Sequence, residues 1–215
     1  MNGDDTIRDT FVVAAEAGLD LIRDERVAAH WNEPSALAKM TIGGLAAHLA
    51  SQTLSVPVAL AEPLGEGELA GLMDHFARAP WIGTGLDGEA NRGIRERSEQ
   101  RAAEDGPKAV IGQYEAALAE ARAALPGEPA DRLVRTRVGK RALDDFLATR
   151  VLEIVVHADD LAVSLGDEAG ARLPEAAVDF VVVLLARLSV RRHGQAAVIR
   201  ALSRAERAPE TVAAI

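Results

Sequence analysis

The sequence contains no cysteine. That removes disulfides, thiolate zinc sites and a cysteine nucleophile together, so any sulfur chemistry must use a thiol from outside the chain. Aromatic residues make up only 3% of the sequence, which disfavours a sheet core built on Tyr, Phe and Trp. Basic charge is also short: 24 Lys and Arg stand against 33 Asp and Glu, a net charge of −9. Binding to phosphate backbones needs a basic stripe, and the Arg-rich segments here are interleaved with acids, so no nucleic-acid partner is expected. The longest apolar run, Phe180 to Ala186, is too short to cross a bilayer, and the acidic start M-N-G-D-D-T-I-R-D-T has no apolar signal segment. A soluble, cytoplasmic protein with no membrane partner is the expectation. A Pro/Ser-rich linker is missing too, so residues 1–215 read as a single domain large enough to bury a sizeable core.

What is present is 48% hydrophobic and rich in Ala, Leu, Val, Glu and Arg, a composition for packed helices and an all-α fold. Phe11, Val12, Ala15, Leu19 and Ile22 keep helical spacing, which predicts a first amphipathic helix from Asp5 to about Arg26. H-W-N-E-P-S-A-L, from His30, reads as a turn, with Trp31 plugging one end of the core. Thr41 is an N-cap for a helix expected to end before Pro57. A short helix is expected from Glu66 to about Ala79, around Leu69, Leu72, Met73 and Phe76.

Gly83, Gly85 and Gly88 spell G-x-G-x-x-G, but no buried strand precedes them and no βαβ helix follows, so the dinucleotide reading is rejected. Residues 80–91 read instead as a loop at the mouth of a bundle that becomes ordered on ligand binding. The charged run after it forms a solvated helical face, with Arg92 and Arg95 as candidates for an anionic substrate. Another long helix runs from Pro107 to Leu125. R-L-V-R-T-R-V-G-K alternates and reads as extended. A helix then starts near Arg141 and stops at Gly166, and Pro174 opens one that ends at Gly194. The V-D-F-V-V-V-L-L-A-R-L run in that last helix predicts packing on several sides. A short helix and a tail laid on the bundle close the chain, which reads as a monomer or homodimer.

The chemistry is concentrated in T-R-V-L-E-I-V-V-H-A-D-D-L-A-V-S-L-G. Glu153 and His157 stand one helical turn apart, so both side chains reach a single point. Glu153 sits among Val151, Leu152, Ile154, Val155 and Val156, and a carboxylate there needs a cation, a strong donor or a proton. A shared metal ion meets that need; so does a solvated or hydrogen-bonded pair. His48, on the helix begun by Thr41, reads alone as a satisfied core histidine. Taken with Glu153 and His157, it completes two imidazoles and one carboxylate, a set that leaves an open position on a catalytic zinc. Asp160 faces the same way and can orient an imidazole or cap the helix. Arg150, one turn before Glu153, can neutralise an anionic substrate or pair with Asp145 or Glu153.

W-N-E-P-S-A-L-A-K-M-T-I-G-G-L-A-A-H-L-A and R-V-L-E-I-V-V-H-A-D-D-L-A-V-S-L-G resemble the paired signatures of the mycothiol-dependent maleylpyruvate isomerase N-terminal domain family. The resemblance implies a DinB-like four-helix bundle, here with additional short helices. It implies a divalent metal, usually zinc, on ligands that correspond to His48, Glu153 and His157. It also implies mycothiol or a similar small thiol as co-substrate and a small electrophile as substrate. Asp160 and Arg150 are the weaker catalytic candidates. The chain ends at Ile215 without the further C-terminal domain of the isomerase itself, so transferase chemistry stands level with isomerisation. A non-catalytic metal- or small-ligand-binding bundle is the alternative, and a buried hydrogen-bond network is the third reading.

Overall fold

In the computed structural model, which describes residues 6–64, 66–136 and 139–215, the apolar stripes turn inward along four long helices. The order is α1 (Ile7–Ile22), α2 (Glu25–Ala29), α3 (Ile42–Ala61), α4 (Leu72–Ala77), α5 (Glu89–Ala124), a hairpin of β1 (Leu133–Thr136) and β2 (Gly139–Ala142), α6 (Leu143–Ser164), α7 (Glu175–His193) and α8 (Gln195–Ser203). α3 packs on α5 and α6, and α1 packs on α6 and α5, which closes an all-α bundle of the DinB-like kind. Phe11, Leu19, Leu45, Leu49, Tyr114, Leu147 and Leu152 fill it. Tyr114 is fully buried and donates from its hydroxyl to Ala15 O at 2.9 Å, which ties α5 to α1. Among the described residues α3 alone is long and apolar enough to cross a membrane, and more than half of that stretch is buried inside the fold.

Several boundaries differ from the sequence expectation. The first helix stops at Ile22 because Asp24 leaves helical geometry and accepts from Arg26 N at 2.9 Å, which starts α2; Asp5 lies outside the described residues. α3 runs through Pro57 to Ala61. A proline inside a helix costs about 3 kcal/mol, but Pro57 sits at a partly exposed position while Val56 and Ala59 stay in the core. The helix expected from Glu66 shrinks to α4. Glu68 O accepts from Lys140 N, and Ala70 N donates to Lys140 O, both at 3.0 Å, so these backbone groups serve β2 and a helix cannot begin before Gly71. Leu69 is consequently exposed.

The extended reading of R-L-V-R-T-R-V-G-K becomes a two-stranded hairpin, with Arg137 and Val138 outside the described residues. Gly139 has φ +117°, and a Cβ there would stand 2.8 Å from Glu68 O, so the crossing of the hairpin and the 68–70 segment requires glycine. The charged run is helical and continuous with the helix after it, broken only by a kink at Gly106 (φ 69°, ψ 174°) ahead of Pro107. α7 does not pack on several sides: it buries Ala177, Val181, Leu184, Leu188 and Ser189, while Val182 and Val183 face outward. The tail does lie on α7, where Ser189 Oγ donates to Val212 O at 2.7 Å.

The start of α3 fixes the height of His48. Thr41 caps it by accepting from Gly44 N at 2.9 Å, and Glu99 of α5 accepts from Thr41 N at 2.6 Å. A Cβ at Gly44 would stand 2.2 Å from Glu99 Oε1, so the small residue permits this approach. Replacing Thr41 with Ala removes the cap and one donor to Glu99. The expected cost is about 1–2 kcal/mol, measured by urea denaturation. A loss below about 0.5 kcal/mol would show that the cap contributes less than its usual share.

Candidate metal centre

α3 and α6 cross in the core so that His48 of one faces Glu153 and His157 of the other. One donor atom from each lies within 4.8 Å of the other two. His157 Nε2 stands 3.1 Å from Glu153 Oε2, and His48 Nε2 stands 3.9 Å from the same oxygen. The two imidazoles meet edge to face, with centroids 4.6 Å apart. All three side chains keep a small opening, 15–17% exposed, which leaves the cluster reachable from one side.

The surrounding hydrogen bonds decide which nitrogen is free. Ser98 Oγ donates to Ile94 O at 2.9 Å, so it accepts from His48 Nδ1 at 3.3 Å. The hydrogen of His48 therefore sits on Nδ1 and the Nε2 lone pair points toward Glu153. Burial holds His48 below its ordinary pKa, in favour of that neutral ring. Asp160 Oδ2 takes the other side of the second imidazole, 3.0 Å from His157 Nδ1. Burial by itself would lower His157, but the carboxylates of Asp160 and Glu153 prevail and push it up to about 9. Burial by itself would raise Glu153. The hydrogen bond from His157, followed by the charges of His157 and Arg150, outweighs burial and holds Glu153 well below the usual carboxylate range.

Arg150 pairs with neither Asp145 nor Glu153 at salt-bridge distance. Its guanidinium donates to Gln52 Oε1 and to Thr149 Oγ1 and lies 5.3 Å over the Phe146 ring. Gln52, one turn beyond His48, turns its Nε2 to His48 O at 3.0 Å and to His48 Nε2 at 3.3 Å. Arg150 is thus a cation held beside the cluster by an amide. The other anion candidates have partners of their own: Arg92 lies 3.9 Å from Glu96, and Arg95 donates to Leu86 O. The loop before α5 is pinned by Asn91, whose Nδ2 donates to Trp81 O and Gly85 O at 3.2 and 3.1 Å.

Two imidazole nitrogens with a carboxylate oxygen form a donor set suited to a divalent ion, with room for a further ligand. The donors converge, the His48 tautomer presents Nε2, and the Asp160 carboxylate orients the second imidazole as metal-bound histidines require. The residues fit. Sequence reasoning singled out all three donors and Asp160, and it noted Gln52 on the His48 face. It missed Ser98, which nothing in R-E-R-S-E-Q-R distinguishes before α5 is docked on α3.

Replacing Asp160 with Ala is expected to lower affinity for a divalent ion about 10–100-fold, with helical circular dichroism retained. Competition for zinc against a chromophoric chelator measures it; unchanged affinity would remove Asp160 from the site.

A family model described as mycothiol maleylpyruvate isomerase N-terminal domain matches residues 12–162. The match runs from α1 nearly to the end of α6 and so includes every residue of the cluster. No curated protein and no solved structure matches the chain.

Proposed function

Since the chain belongs to the mycothiol maleylpyruvate isomerase N-terminal domain family, we propose that His48, Glu153 and His157 hold a divalent ion, zinc by donor type, and that the site uses a small thiol of the mycothiol kind against a small electrophile. The observation that carries this reading is the convergence of two imidazoles and a buried carboxylate from two different helices on one point. When bound, the ion supplies a cationic centre that favours the thiolate of a coordinated thiol over the thiol.

The chain's own residues set the conditions for that chemistry. His48 and His157 offer Nε2, with Ser98 and Asp160 holding the rings in place. Glu153 supplies negative charge where the interior has none to spare. Arg150, kept off Glu153 by Gln52, stands ready for an anionic group on the incoming electrophile. The residues beside these groups in the chain, Ala47, Leu49, Leu152 and Ile154, are buried, so the two helices that carry them are dry on their inner faces. The absence of cysteine accords with a sulfur nucleophile that arrives as a co-substrate. Addition of a thiolate to an activated carbon–carbon double bond would open the π bond and leave the electron pair on the neighbouring carbon; rotation and expulsion of the thiolate would restore the double bond as the isomer, and uptake of a proton from water at that carbon would instead keep the carbon–sulfur bond as a thiol adduct.

Elemental analysis of chain purified without a nickel column tests the site directly. About one divalent ion per chain is expected, lost in both His48→Ala and Glu153→Ala while helical circular dichroism is retained. Thiol-dependent consumption of an electrophile should vanish in the same two variants. A parent chain that carries no metal and takes up none from zinc solution would overturn the proposal and leave a buried hydrogen-bond network in its place.

A further inference from the structure

A second polar pocket lies next to the cluster, between α4, β2 and the loop that carries Trp81. Arg141 is 1% exposed, and its guanidinium is protonated at any working pH. Buried cations are ordinarily matched by a carboxylate, yet among the described residues Arg141 has a single hydrogen-bond partner, Nδ1 of His75 at 2.9 Å. A guanidinium only donates, so His75 Nδ1 accepts and the neutral ring carries its hydrogen on Nε2. His75 is itself 8% exposed. Two buried donors remain without a partner among the described residues: Arg141 Nε and His75 Nε2.

Both residues line one cavity of about 20 Å³, with Trp81 on another wall. The carboxylates nearby are engaged elsewhere. Asp145 accepts from Leu72 N at 3.1 Å, and Asp74, also in the lining, is half exposed and faces Arg191 at 3.6 Å. Arg78, the remaining cation of the lining, is paired with Glu68 at 3.1 Å. On the inner side stands Arg150, close enough to act electrostatically on both Arg141 and His75. The pocket therefore combines two unmet donors, a buried cation that no carboxylate among the described residues touches and that Asp145 offsets only from a distance, and a second cation nearby.

We propose that Arg141 and His75 form an anion-binding site that takes the oxygen of a carboxylate. The cavity admits one oxygen-sized group, so a carboxylate enters by one oxygen and keeps its remaining atoms toward the opening. The site is separate from the three metal-ligand candidates and does not depend on their holding an ion.

The test is thermal denaturation of the full chain in sodium acetate, sodium sulfate and sodium chloride at equal ionic strength. Acetate should raise the melting temperature saturably by about 2–4 °C over chloride, whereas sulfate, which stabilises proteins generally by exclusion from their surface, gives a non-saturating rise that serves as the baseline. The gain should disappear in Arg141→Met, which keeps the aliphatic volume without the charge, and persist in His48→Ala. If Arg141→Met does not fold, His75→Phe carries the same comparison. No advantage of acetate, or a gain that survives both pocket variants, would overturn the site. A gain lost in His48→Ala but kept in Arg141→Met would place acetate at the metal cluster and overturn it equally. The source of the carboxylate is read with 3-mercaptopropionate on zinc-treated chain. Tighter binding than either acetate or 2-mercaptoethanol, lost in Arg141→Met, supports the site and assigns it to a ligand that spans both centres. Affinity equal to that of acetate, also lost in Arg141→Met, supports it as a site for a separate carboxylate.

Discussion

The neutralisation of one buried carboxylate governs how this bundle is assembled. Glu153 occupies a helix face whose neighbours are aliphatic, and several kcal/mol would be lost if it entered the interior without compensation. The main compensation comes from His157, one turn along the same helix, with Arg150 acting from farther off, while His48 reaches across the α3–α6 interface to 3.9 Å from the same oxygen. α3 must therefore sit at one height relative to α6, and the contacts that set that height are themselves polar and specific. Thr41 and Glu99 fix where α3 begins, and Ser98, the neighbour of Glu99, meets the imidazole that α3 carries. Cap, helix register and candidate ligand are one mechanical unit.

Positive charge is handled differently. Surface arginines find acids readily, as Arg23 does with Glu115 and Arg26 with Asp167. Arg141 and Arg150, near the cluster, instead donate to neutral partners, an imidazole and an amide. A neutral partner fixes where the cation sits without cancelling its charge. Both guanidiniums therefore keep their charge near the cluster, in a chain whose overall charge is acidic.

The helical part of the fold was legible because its signals are local. Thr41 before an apolar run, the spacing of Glu153 and His157, and Gly194 after a long periodic segment each depend on a few neighbouring residues. The misplaced boundaries depend on distant ones. Nothing near Leu69 announces that the backbone of Glu68 and Ala70 is used by Lys140, seventy residues on. Pro57 reads as a stop until the burial of Val56 and Ala59 is known. The apolar run in α7 predicts an enclosed helix, because a sequence cannot tell which valines a neighbour will cover. The metal candidates were readable as residue types with the right reach. Arg141 and His75 were not, since a lone arginine in a strand and a lone histidine in a short helix gain meaning only when a chain crossing at Gly139 brings them together.

The kink at Gly106 divides α5 into two lengths with different neighbours. Before it, Ser98 and Glu99 address α3 at the level of His48; after it, Tyr114 is locked to α1 through Ala15. A single helix thus serves two joints, one that sets the position of a candidate ligand and one that fastens the bundle together, and the change of direction at Gly106 lets it meet both.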